Sequence, residues 1–190
     1  GMPIVSDPGH SIVAAAHDEG VPVTCIPGPS AVTTALALSG LNVGHFIFDG
    51  FVPRKSGARR AWLQSLVDER RAVCCFESPH RIAQLLADAA DVLGPDRRAA
   101  VCRELTKTYE EVKRGSLVEL AEWAADGVRG EITLVIEGGE PEQPEPQDLV
   151  ERVLALVDTG ERMKDAAKQV AKAHGVKVGD LYDAALDSRN

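Results

Sequence analysis

At 190 residues the chain has room for one or two domains with a buried core, and its 44% hydrophobic, 26% charged composition suits a globular protein. No apolar run is long enough for a bilayer-crossing helix, so a membrane-embedded role is not expected. The net charge of −8 is uneven: residues 51–115 hold 13 Lys/Arg against 9 Asp/Glu, a balance of +4 that leaves −12 on the rest. A basic middle in an acidic chain points to a local anionic partner, with solvated surface charge as the plainer alternative.

Taken in order, the chain opens with the turn Ser6-Asp7-Pro8-Gly9 and a helix expected over 11–19. Residues 21–26 are β-branched and largely uncharged, which predicts a strand covered on both faces. Pro27-Gly28-Pro29 then turns the chain, and Ser30 is placed to cap an Ala- and Leu-rich helix over 31–40 that stops at Gly40. Such a strand needs neighbours, yet residues 1–40 offer no second convincing one. The expectation is therefore an N-terminally truncated fragment, with 1–43 the end of a parallel α/β domain. An orphaned strand of this kind is also expected to drive self-association.

Residues 45–138 alternate strands and helices and predict a second, mixed-sheet α/β domain. Strands are expected over 45–51, 72–76, 99–103, 109–114 and 131–137, and helices over 57–68, 79–93 and 117–125. The 79–93 helix is read with Pro79 in its first turn and Gly94 at its end. The strands over 99–103 and 109–114 are too close for a parallel crossover, which requires antiparallel pairing there. Residues 139–148 form a Gly/Pro/Glu linker, expected to be extended and mobile, and 149–190 a helical, helix-turn-helix-like tail. That tail carries 7 basic and 7 acidic side chains over 151–190, which does not favour nonspecific RNA binding. The cysteines, Cys25, Cys74, Cys75 and Cys102, lack metal-type spacing. Reduced thiols in a cytoplasmic protein are expected, with Cys74 and Cys75 on opposite faces of a strand.

The chain has no Walker loop, zinc signature or nucleophile elbow. Charged groups gather instead where strands end: Arg54 and Lys55 after the first strand of the middle region, Glu77, His80 and Arg81 after the second, Arg103, Glu104 and Lys107 after the third. If those ends share a cleft, acids, a histidine and several cations converge in it.

The ordered motifs Ser6-Asp7-Pro8-Gly9, Pro27-Gly28-Pro29-Ser30-Ala31, Phe48-Asp49-Gly50-Phe51-Val52-Pro53-Arg54-Lys55, Glu77-Ser78-Pro79-His80-Arg81, Arg103-Glu104-Leu105-Thr106-Lys107 and Arg114-Gly115-Ser116-Leu117, with Gly130-Glu131-Ile132, resemble the ribosomal RNA small-subunit methyltransferase I family. That family lies in the tetrapyrrole methylase superfamily. The resemblance covers essentially the whole chain and implies S-adenosylmethionine-dependent methylation of a cytidine ribose 2′-hydroxyl in small-subunit rRNA by a homodimer. It implies a donor cleft lined by Gly1, Met2, Pro3, Ser30, Ala31, Phe76, Glu77, Arg103, Glu104, Glu131, Ile132 and Thr133. Candidates for the proton acceptor are Lys107 with a lowered pKa, Glu77, His80 and Glu104. Arg54, Lys55, Arg59, Arg60, Arg81 and Arg114 are expected to hold RNA phosphates. The rival readings are another tetrapyrrole methylase acting on a corrinoid precursor or a protein, and a non-catalytic nucleic-acid-binding module.

Overall fold

The computed structural model describes residues 1–139 and 145–188, and the chain divides into two units, 1–140 and 141–190. The first is built on five strands: β1 (Phe46–Phe51), β2 (Ala72–Glu77), β3 (Arg98–Arg103), β4 (Glu111–Ser116) and β5 (Ile132–Ile136), in sheet order β1-β2-β5-β3-β4. Helix α3 (Ser56–Ser65) lies between β1 and β2 in the chain, and this crossover lets the two strands run parallel. The short turn from β3 to β4 leaves only antiparallel pairing, and β5 fills the centre antiparallel to both β2 and β3. The mixed sheet expected from the spacing is the sheet observed.

Period-two alternation builds a core on each face of this sheet. Val73, Cys75, Ala99, Val101, Ile132, Leu134 and Ile136 pack with α3, α4 (Ile82–Leu93) and α5 (Leu117–Ala125). Ala72, Cys74, Cys102 and Val135 pack on the other face against Val32, Ala35 and Leu36 of α2 (Ala31–Ser39). Cys74 and Cys75 thus point into different cores, and burial pushes the Cys74 thiol up to about 12 and Cys102 to about 11. Helix α1 (His10–Asp18) buries none of its residues.

Several boundaries differ from expectation. Residues 21–26 form no strand; Val21, Val23 and Ile26 are exposed on chain without regular secondary structure. Among the described residues no strand lies beside them: Val21 N donates to Ala16 O at 2.8 Å at the end of α1, and β propensity without a ladder partner makes no strand of the rest. Ser30 holds the N-cap position of α2 with extended backbone, but its side chain makes no capping bond. Pro79 precedes α4 rather than opening it, because the amides of Arg81 and Ile82 both donate to Ser78 O and close a turn first. β4 starts at Glu111, since Glu110 is held back by the 2.5 Å bond from Thr106 N to its carboxylate.

Within the expected 139–148 linker, residues 140–144 lie outside those described. Gly139 N donates to Glu69 O at 2.6 Å, and Pro146–Leu149 is a 3₁₀ turn. The second unit holds α6 (Val150–Asp158), α7 (Met163–His174) and α8 (Val178–Asp187) around Val153, Ala166, Ala167, Val170, Leu181 and Ala185. Gly175, at φ +74, takes the left-handed position that ends α7.

Candidate active site

One edge of the first unit collects the ends of β1, β2 and β3 and the starts of β4 and β5, as the pairs Glu77 with Ile132, Arg103 with Ile132 and Arg103 with Glu111 fix. A pocket of about 400 Å³ opens there, lined by Ala31 from α2, Phe51, Phe76, Glu77, Ser78, Pro79, Gly130, Glu131 and Ile132. Phe76 anchors its wall, with its ring centroid 5.0 Å from Phe48 and 5.5 Å from Phe51. Of the residues implied for a donor cleft, Ala31, Phe76, Glu77, Glu131 and Ile132 line this pocket. Arg103 and Glu104 line a neighbouring one, of about 350 Å³, with Tyr109, Arg129 and Gly130. Met2 is tied instead to the Pro27–Pro29 loop, its amide donating to Pro29 O at 2.8 Å and its sulfur accepting from Gly28 N at 3.3 Å. Thr133 is buried in the middle of the sheet, between Phe76 and Cys102.

Glu77 is the most enclosed charged group of this edge, 3% exposed. Its Oε1 accepts from Ser78 N at 2.6 Å and pairs with Arg81 Nη2. Its Oε2 and Arg81 Nη1 are buried with no hydrogen-bond partner among the described residues. Burying polar atoms unpaired is unfavourable by about 1–3 kcal/mol each, so natural folds keep such pairs rare. His80, by contrast, stands exposed on the turn after Pro79.

A second charged group faces this one. Lys107 Nζ lies 3.0 Å from Glu104 Oε1 and 3.0 Å from Glu131 Oε2. These two carboxylates, Glu104 foremost, hold the ammonium above its ordinary pKa. The lowered pKa expected of Lys107 as a base is thus reversed: two acids stabilise its charged form, and it is open to water rather than desolvated. Glu104 falls below its ordinary value, first because Glu131 N donates to it and then because of Lys107. Glu104 and Thr106 adopt left-handed backbone, φ +50 and +66, which folds their loop back onto Gly130.

The basic cluster divides in two. Arg59, 6% exposed, donates through Nε to Asp88 at 2.7 Å and ties α3 to α4. Arg60 pairs with Asp91 and lies 3.5 Å from Asp88, Arg81 is held by Glu77, and Arg114 Nη2 donates to Gly40 O at 2.9 Å at the end of α2. Arg54 and Lys55 stay exposed and without an ion-pair partner among the described residues. Sequence reasoning passed over Gly130, Phe51, Tyr109 and Arg129 as site residues. The signal for Tyr109 was an aromatic side chain inside a charged stretch, and for Gly130 a glycine set directly before the β5 strand.

The fold is that of the tetrapyrrole methylases. The family described as Tetrapyrrole (Corrin/Porphyrin) Methylases matches residues 1–121, and the RsmI C-terminal HTH domain matches residues 143–189. Ribosomal RNA small subunit methyltransferase I of Mycobacterium tuberculosis is 57% identical over 190 residues, covering 100% of this chain and 66% of the relative. Its Halalkalibacterium halodurans counterpart is 43% identical over 193 residues, covering 96% and 65%. A solved cobalamin biosynthetic enzyme, cobalt precorrin-4 methyltransferase, shares the fold at TM-score 0.50 and 16% identity, over 67% of this chain and 56% of that one. The chain belongs to the ribosomal RNA small subunit methyltransferase I family. It spans just under two thirds of the length of the two relatives named.

Proposed function

We propose that this chain acts in S-adenosylmethionine-dependent methylation of a cytidine ribose 2′-hydroxyl in small-subunit rRNA, in the cytoplasm and as a homodimer. The observation that carries this reading is the pocket of about 400 Å³ whose walls combine Phe51, Phe76 and Ile132 with the buried, half-partnered carboxylate of Glu77. Bound there, S-adenosylmethionine would supply a methyl group on a sulfonium. The residues fit such a molecule: flat apolar walls suit a purine, Ala31 leaves space, and Glu77 and Glu131 suit a cation. A ligand group that reaches the unpaired oxygen of Glu77, which lines the pocket, recovers its unfavourable burial. Gly1, Met2, Pro3, Ser30, Arg103 and Thr133 belong to the same reading as the surround of the pocket.

Transfer to a hydroxyl depends mostly on positioning, and the departing proton needs an acceptor within reach. Lys107 is held as an ammonium and Glu104 is engaged by Lys107 and Glu131 N, so neither serves as that acceptor. Glu77 takes the role in this reading, with His80 the alternative. Arg54 and Lys55 hold phosphates, Arg60, Arg81 and Arg114 add positive charge, and Arg59 acts through the fold.

Calorimetry with S-adenosylmethionine tests the reading on wild type and Glu77→Gln. Wild type should bind, and the variant should bind about tenfold more weakly, the loss of one charge-assisted hydrogen bond. Absence of binding by the wild type would sink the donor pocket. In a methyl-transfer assay on small ribosomal subunits with a full-length relative, loss of turnover at saturating donor on replacing the Glu77 counterpart by Gln, with His80→Ala near wild type, supports the glutamate acceptor, and the reverse order supports His80.

A further inference from the structure

Next to the apolar pocket lies one of opposite character, about 350 Å³, lined by Arg103, Glu104, Tyr109, Arg129 and Gly130. Gly130 lines both, so the two cavities adjoin along one glycine. Two features of the second have no role in the fold. Tyr109 is 74% exposed, and neither its ring nor its hydroxyl has a partner among the described residues. Arg129 has no carboxylate partner among the described residues, whereas Arg103 is taken up by Glu111 at 2.5 Å and by the Arg129 carbonyl at 3.5 Å.

The turn that carries Tyr109 is well bonded. Lys107 N donates to Glu104 O at 2.9 Å, Glu110 N to Lys107 O at 3.1 Å, and Thr106 N to the Glu110 carboxylate at 2.5 Å. A flat ring is therefore presented to water on a fixed support, beside an uncommitted guanidinium. An unpaired nucleotide offers the matching surfaces: a base face that stacks on an aromatic ring, and a phosphate that takes a guanidinium. A paired base, stacked inside a helix, offers no face to Tyr109.

From this juxtaposition we infer that the second pocket takes one unpaired nucleotide of the RNA, its base stacked on Tyr109 and its phosphate held by Arg129. The inference rests on the proposed rRNA substrate and names the residues that seat the nucleotide next to the donor pocket. Neither residue touches the donor cavity, so RNA binding and donor binding are separable.

The test is anisotropy of a labelled, single-stranded, cytidine-containing RNA oligonucleotide on the whole chain, comparing wild type, Tyr109→Ala, Tyr109→Phe and Arg129→Gln. Tyr109→Ala should weaken binding about 5- to 150-fold, the range for loss of one base–aromatic stack. Tyr109→Phe keeps the ring and should bind like wild type. Arg129→Gln should weaken binding and flatten the slope of log affinity against log salt by about 0.7, the loss of one phosphate contact on a single strand. The same RNA annealed to its complement should not distinguish Tyr109→Ala from wild type. S-adenosylhomocysteine affinity and melting temperature should be the same in all four proteins. Unchanged single-strand binding by Tyr109→Ala overturns the nucleotide pocket and leaves the rRNA reading standing, as does Tyr109→Phe falling as far as Tyr109→Ala. A wild type that binds S-adenosylhomocysteine and no RNA overturns both.

Discussion

At the scale of single residues, the site edge depends on a contact between Gly130 and Glu104. Gly130 sits at φ +91, where side chains are strained, and a Cβ there would run into Cγ and Cδ of Glu104. Glu104 cannot move aside without losing its 2.9 Å bond from Glu131 N and its 3.0 Å pair with Lys107. Gly130→Ala should therefore destabilise the protein by roughly 1–3 kcal/mol, seen as a lower urea midpoint, and should loosen both pockets at once. The same charges set a pH dependence. Glu104 is lowered below 4.5, so its contribution is complete above that pH and is lost as pH falls through its folded value. Glu69, bonded by the Arg71 side chain, is lowered to about 2 and acts in the same direction. Lys107 is raised above 10.5, so its contribution is complete below that and fades only at higher pH. Urea midpoints should accordingly be insensitive to these groups at neutral pH and fall below about pH 4.5. Glu104→Gln should make that acid fall shallower, and an unchanged acid limb would show that Glu104 is not one of its sources.

At the scale of elements, alternation and spacing made most of the sheet legible. Residues 72–76 and 99–103 read as buried runs because both faces are covered, and the tight spacing before 109–114 predicted the antiparallel turn. Residues 21–26 have the same composition and form no strand, because composition describes what a strand would bury and not whether a neighbour is beside it. The strand-edge groups were legible as a class, but their individual commitments were not. Nothing in the sequence tells that Arg59 faces Asp88, 29 positions away, while Arg54 has no ion-pair partner among the described residues. A local rule that went unused marks the start of α5. Ser116 Oγ accepts from Glu119 N at 3.3 Å, and the Glu119 carboxylate accepts from Ser116 N at 2.8 Å, the reciprocal box that a Ser-x-x-Glu run predicts. Ser116 also closes β4 opposite Arg98, so the cap sets where strand gives way to helix. Ser116→Ala should cost about 1 kcal/mol of stability in chemical denaturation while RNA and donor affinities stay put. A fall in donor affinity would instead tie α5 to the site.

At the scale of the whole molecule, the two units have separate cores, and six of the thirteen exposed large apolar side chains among the described residues fall in residues 1–26. Ile12, Val21, Val23 and Ile26 are exposed, Ile26 at 87%, and residues 22–26 have no strand partner among the described residues. Wet backbone donors and acceptors flanked by β-branched side chains invite pairing with a second chain. A net charge of −8 opposes association, but residues 21–30 carry no charged side chain to resist it locally. The protein should therefore self-associate through this stretch, and light scattering at micromolar concentration should report a mass above 20.3 kDa. Replacing Val23 and Ile26 with Lys should lower that mass towards the monomer without changing the melting of either core, since neither side chain is packed in one. Amide exchange locates the contact: protection of residues 21–26 that disappears in the double variant assigns it to chain pairing. A monomeric wild type would mean that the stretch satisfies its backbone with water alone, and the homodimer would then have to form through another surface.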